Sequence, residues 1–253
     1  MRTAYAASLV LSVCLALIYL FQDQYPDFMY FFSNAYFPLI AVAAVIVSGI
    51  ALRKYWGNFG DKFSKIWTYF TLGMIFWFLG ELGWAIYTLL LNIEIPYPSI
   101  ADIVWLIGYV PLFIALYLYI GTFQIALSKK MFAIATIAVC IASSVFLLFL
   151  VPPILADTAE RDMVTLTVDL AYPTLDIVLF SLSILGLLIF AKGKIAQAWL
   201  LINGAILMNV MGDLLFSYTT LKGTYYNGHW SELFIAWSYI LFALAFYAHK
   251  KEF

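Results

Sequence analysis

Residues 67–91 read WTYFTLGMIFWFLGELGWAIYTLLL, an apolar run broken by a single carboxylate, Glu81. The run is long enough to cross a hydrocarbon core of about 30 Å, which needs roughly 20 helical residues. Residues 196–221, AQAWLLINGAILMNVMGDLLFSYTTL, repeat its features in order: Trp67, Gly80-Glu81-Leu82, Trp84 and Thr88 align with Trp199, Gly212-Asp213-Leu214, Phe216 and Thr220. A carboxylate at the centre of such a run costs about 2.5–3.5 kcal/mol on insertion scales, so it faces the bundle interior and marks a functional site by default. The two runs therefore predict a helical membrane protein with acids turned inward and an internal repeat.

Composition extends that reading to the whole chain. Its 253 residues are 65% hydrophobic and 11% charged, against about 45–50% and about 25% in soluble domains. Eight runs can span: 4–21, 32–52, 67–91, 101–120, 131–152, 170–191, 196–221 and 231–248. The predicted class is all-α, a polytopic membrane protein with eight transmembrane helices and almost no chain left for a soluble domain. Eleven Lys and Arg fall in the termini and the connections 53–66, 121–130 and 192–195, against only Arg161 and Lys222 in the alternate connections. Positive charge stays inside, which puts both termini in the cytoplasm and the acidic loops, with Asp23, Asp27, Glu94, Asp157, Glu160 and Asp162, outside a cell membrane. The first run lacks a small-residue cleavage site after Phe21 and reads as a retained helix. Cys14 and Cys140 sit in apolar runs as small hydrophobes.

The repeat covers both halves, at offsets of 126 to 136. Val13-Cys14-Leu15-Ala16 aligns with Val139-Cys140-Ile141-Ala142, and Ala35-Tyr36 and Pro38 with Ala171-Tyr172 and Pro173. Asp102, Tyr109, Ala115 and Tyr117 align with Glu232, Tyr239, Ala245 and Tyr247. The chain thus divides into four-helix units, 1–125 and 126–253. With an even number of spans the copies share one orientation, a parallel 4+4 duplication about an axis along the membrane normal, and a pocket is expected between them.

Helical rise places Glu81 about 21 Å and Asp213 about 24 Å beyond the cytoplasmic starts of their helices, and Asp176 about 10 Å below the outer boundary. These three acids share one depth. Asn209 and Ser217 flank Asp213 at helical spacing, Tyr172 and Ser183 flank Asp176, and Trp77 and Trp84 flank Glu81, so a ligand site competes with plain interhelical hydrogen bonding. Asp102 and Glu232 open inward-running helices, where a carboxylate complements the dipole, and Ser99 with Asp102 reads as a capping box. Trp77, Trp84, Trp105, Tyr109, Trp237 and Tyr239 accompany the acids and could box an organic cation, though ordinary packing serves as well. His229 could pair with Glu232 on a metal, but a lone loop histidine is more often interfacial. No metal centre and no cofactor is expected. No phosphate loop or nucleophilic triad appears, and the few basic residues are explained by topology rather than nucleic acid.

Pro98-Ser99-Ile100-Ala101-Asp102 running into Trp105-Leu106-Ile107-Gly108-Tyr109, with Ala171-Tyr172-Pro173-Thr174-Leu175-Asp176 and Gly212-Asp213-Leu214-Leu215, resembles a family. It is similar to the multi-span membrane sensor region that precedes the output domains of bacterial diguanylate cyclases and phosphodiesterases and of some membrane histidine kinases. The resemblance implies a sensing role and points to Asp102, Tyr172, Asp176 and Asp213. Glu232 stands where the family tends to have Asp, and no output segment follows the last span before Phe253. The expected function is a stand-alone membrane sensor or ligand-binding module. Its outward acidic and aromatic pocket, built from Glu81, Asp102, Tyr109, Tyr172, Asp176, Asp213, Glu232 and Tyr239, would take a small molecule or cation. Its expected partners are the lipid bilayer, a separate cytoplasmic signalling protein, and a second copy in a homodimer. The alternatives are a secondary transporter or proton pathway on the same acids, and an intramembrane aspartyl protease on Asp176 and Asp213. Gly212-Asp213 matches the end of the GxGD motif, but Val210 occupies its first glycine and no Pro-Ala-Leu follows.

Overall fold

The computed structural model describes residues 2–56, 60–93, 96–122, 127–156, 162–190 and 196–252. Eight long helices carry the chain: α1 (Arg2–Leu20), α2 (Pro26–Arg53), α3 (Lys62–Ala85), α4 (Ile100–Thr122), α5 (Lys129–Phe149), α7 (Met163–Phe190), α8 (Ala196–Leu221) and α9 (Glu232–Glu252), with a short α6 (Val151–Ala156) after α5. Among the described residues, these eight are long and apolar enough to cross a membrane. Large apolar side chains such as Leu9, Val10 and Leu20 on α1, and Ile137, Ile141 and Leu148 on α5, are exposed along them. So much bare apolar surface fits hydrocarbon and not water. Of the charges that argue the orientation, Glu94, Asp157, Glu160, Arg161, Lys192 and Lys194 lie outside the described residues.

Six helices close a ring, each packing on the next in the order α2, α3, α4, α7, α8, α9 and back to α2. Outside it, α1 lies against α9 and α5 against α7. The ring has two unlike ends. At one, Trp67, Phe70, Tyr119, Trp199, Phe242 and Phe246 are all essentially inaccessible. Trp67 and Phe246 meet edge to face at 5.5 Å, and Tyr119 and Trp199 at 4.8 Å. At the other end the helices diverge around polar side chains.

Two elements depart from the sequence reading, each for a backbone reason. The fifth run was expected to be one span over 131–152, yet α5 stops at Phe149 and α6 starts at Val151. Pro152 and Pro153 have no N–H to give the carbonyls a turn earlier, so the ladder breaks there. The run 67–91 widens at Ile86–Leu90 into π-helix, with the Leu91 amide donating to the Ile86 carbonyl at 2.9 Å. Thr88 Oγ1 donates to the carbonyls of Trp84 at 3.0 Å and Ala85 at 3.4 Å, competing with the regular ladder.

Close helix approach depends on missing side chains. A Cβ on Gly80 would lie 2.5 Å from the Trp105 indole, and one on Gly212 would lie 2.5 Å from Ile235 Cγ1. These glycines let α3 meet α4, and α8 meet α9, at the height of Glu81 and Asp213.

Candidate functional site

The open end of the ring holds a cavity of about 320 Å³. Five carboxylates line it: Glu81 from α3, Asp102 from α4, Asp169 from α7, Asp213 from α8 and Glu232 from α9. Trp77, Trp84, Trp105, Tyr109, Tyr172, Phe216, Tyr225 and Tyr239 wall the rest, and no Lys, Arg or His is among the described lining residues. Seven of the eight residues singled out from the sequence are in this wall. The eighth, Asp176, is 1% exposed and stands just behind it.

Tyrosines bind the acids, four of them from another helix. Tyr109 Oη lies 2.8 Å from Asp176 Oδ1 and 2.9 Å from Asp213 Oδ2, and Asn209, one turn before Asp213, donates to the same Oδ2 at 2.7 Å. Tyr239 on α9 donates to Glu81 Oε1 at 2.8 Å. Tyr172 on α7 donates to Asp102 Oδ1 at 3.1 Å. Tyr19 on α1 donates to Glu232 Oε2 at 2.7 Å and meets the Tyr36 hydroxyl at 3.0 Å.

Asp102 and Glu232 have double roles. The capping box forms as the sequence indicated: Asp102 Oδ2 accepts from the Ser99 amide and hydroxyl, each at 2.7 Å, while Ser99 Oγ faces the Asp102 amide at 3.4 Å. The other Asp102 oxygen, Oδ1, is the one that accepts from Tyr172. Glu232 Oε1 accepts from Tyr225 Oη at 2.9 Å and from the Gly228 amide at 2.8 Å. Gly228 takes φ of +92° to turn that amide inward, a conformation natural to glycine. Burial and the Glu232 carboxylate hold the Tyr225 hydroxyl well above the ordinary tyrosine range, so it remains a proton donor.

Some expectations are corrected by position. Trp237 turns out of the ring and donates to the Ser12 carbonyl on α1 at 3.3 Å. Ser183, on the stripe of Asp176, instead accepts from Asn203 at 2.7 Å. His229 Nδ1 is 2.7 Å from Ser231 Oγ. Other contributors were missed in the sequence. Asn34 accepts from Trp84 Nε1 at 2.9 Å, and its place inside an apolar run was a usable signal. Asp169, bonded to Tyr97 at 2.6 Å, fell one residue before the expected span. Tyr19 and Tyr225 carry no local signal, since aromatics at helix ends are common in membrane proteins.

Carboxylates beside aromatic faces are groups able to hold an organic cation. A volume near the low end of ligand pockets, about 300–1,000 Å³, suits a small molecule. No family model, curated protein or solved structure matches this chain.

Proposed function

We propose that the chain is an integral membrane ligand-binding module of the sensor type, whose pocket takes a small organic cation. The observation that carries this reading is the union in one cavity of five carboxylates and an aromatic wall, without a basic side chain among the described lining residues. In this reading both termini and the basic connections are cytoplasmic, by the positive-inside bias, and the pocket opens to the exterior of a cell membrane. The bundle is two copies of one four-helix unit, 1–125 and 126–253, each giving three helices to the ring. Supporting that, Tyr109 of the first unit reaches Asp213 of the second, while the aligned Tyr239 of the second reaches the aligned Glu81 of the first. A ligand drawing on both pairs would shift the units against each other and pass a signal to a separate cytoplasmic protein.

The same acids support a second reading, a secondary transporter, because units related in this way can rock about a shared site. The packed aromatic layer beneath the cavity favours binding over passage. A proteolytic role is the least supported, because Tyr109 bridges the two aspartates where an activated water would have to sit.

Thermal stability of the purified protein tests the proposal, measured with tetraethylammonium, putrescine and Na⁺ on wild type, Glu81→Gln and Asp213→Asn. Stabilisation by an organic cation that both variants lose supports the reading. Equal responses in all three proteins, or none, would set it aside. Uptake of a stabilising cation into sealed vesicles would move the transporter ahead.

A further inference from the structure

Asp176 is almost wholly buried, and its Oδ2 has no hydrogen-bond partner, while its Oδ1 shares a single tyrosine hydroxyl with Asp213. The two carboxylates therefore share one tyrosine proton, and Asn209 adds an amide donor at Asp213. Asp176 and Asp213 are also within hydrogen-bonding reach of each other. If both were ionised, Asp176 Oδ2 would be a bare anionic oxygen in a water-poor interior facing a second anion, an expensive arrangement. One added proton removes both deficits. Held between the two carboxyl groups, it leaves the Tyr109 proton and Asn209 to serve the other oxygens. Moving that proton to Asp213 exchanges the roles without changing the total charge.

The surroundings favour keeping such a proton. The ionisable groups facing the pair are Tyr109 from α4, Tyr172 from α7, Glu81 from α3 and Tyr239 from α9, with Asp102 beyond Tyr172, all acids or neutral hydroxyls. α5 packs on the far side of α7 and brings only Lys129 and Lys130 at its first turn and the exposed Cys140. α6 has no ionisable side chain. The repeat-related pair lacks this feature, because Tyr239 donates to Glu81, and the alignment of Pro38 with Pro173 puts Ala41 at the counterpart of Asp176.

We infer that Asp176, Tyr109 and Asp213 form a proton-binding site that stores one proton between the two carboxyl groups, and that a cation entering the adjoining pocket releases it. Asp213 connects the two events, since it belongs both to the triad and to the cavity wall. The exchange balances: one positive charge arrives beside Asp213, one proton leaves to solvent through the open end, and the net charge of the site is preserved. The first half stands on the triad alone; the second rests on the cation-binding reading above.

Infrared spectroscopy of the full chain in lipid nanodiscs tests both. At neutral pH the wild type should show a protonated-carboxyl C=O band that shifts on selective ¹³C labelling of aspartate. That band should disappear in Asp176→Asn, move in Tyr109→Phe and persist in Glu81→Gln. The labelled wild type decides the matter even if a variant fails to fold, and absence of an aspartic-acid band overturns the proposal. Tetraethylammonium is then titrated in dilute buffer. Release of about one proton per bound cation, with affinity rising about tenfold per pH unit across the exchange, supports the coupling. Binding with the band unchanged overturns the coupling. A band with no cation bound leaves the proton site standing and counts against the functional reading.

Discussion

Tyr109 and Tyr239 are alike in sequence context but differ in what they must satisfy. Tyr239 donates to one carboxylate, whereas Tyr109 faces two. Interhelical hydrogen bonds in membranes average about 0.6 kcal/mol and reach about 1.7 kcal/mol. Tyr239→Phe should therefore lower stability near the average, and Tyr109→Phe nearer the maximum, because it strands two acids; the midpoints of thermal unfolding give the order. At the exposed end, burial pushes the His229 imidazole below its ordinary value. A depressed folded value means the unfolded chain takes up the proton first, so this contribution is present above pH about 6.5 and is lost as the pH falls through the lower folded value. His229→Gln should flatten the acid side of the stability profile, read as the difference in melting temperature between pH 7 and 5. At this scale the sequence exposed the acids well, because a carboxylate in an apolar run is conspicuous. It could not rank them: Asp176 and Asp213 differ from Glu81 through neighbours on other helices.

The elements were legible through length and hydropathy, and their exceptions through backbone chemistry. Eight apolar runs became eight long helices, while Pro152-Pro153 ended one early and Thr88 widened another. Helix contacts were less visible, because glycine in a membrane span signals either close packing or nothing. Gly212→Ala would place a Cβ 2.5 Å from Ile235 Cγ1 and 3.1 Å from its backbone nitrogen. That substitution should cost about 1–3 kcal/mol and separate α8 from α9. Gly49→Ala on α2 meets nothing within 4 Å and should leave the unfolding midpoint unchanged or raised. Equal effects of the two would mean that the α8–α9 approach does not depend on Gly212.

The ring makes the halves interdependent. It closes only through α4 against α7 and α9 against α2; Tyr172 bonds Asp102 across the first of these seams, and Tyr239 of α9 bonds Glu81 of α3, also joining the halves. Cleavage at an engineered protease site between residues 125 and 126 of the folded protein should therefore leave the halves associated, and co-purification through one affinity tag checks it. Dissociation in mild detergent would show the seams to be weak. By itself the sequence determined a membrane-spanning helical class, the helix positions with starts up to seven residues late, the inward direction of the acids and the capping role of Asp102. Those follow from transfer costs and local spacing, which act along one segment at a time. Only the tertiary structure decided that Tyr109 stands between Asp176 and Asp213, that Asp169 and Tyr225 join the cavity, and that Trp237 leaves it. Each depends on which faces of distant helices meet, and in an apolar medium many faces are equally free to do so until close packing and hydrogen bonds choose among them.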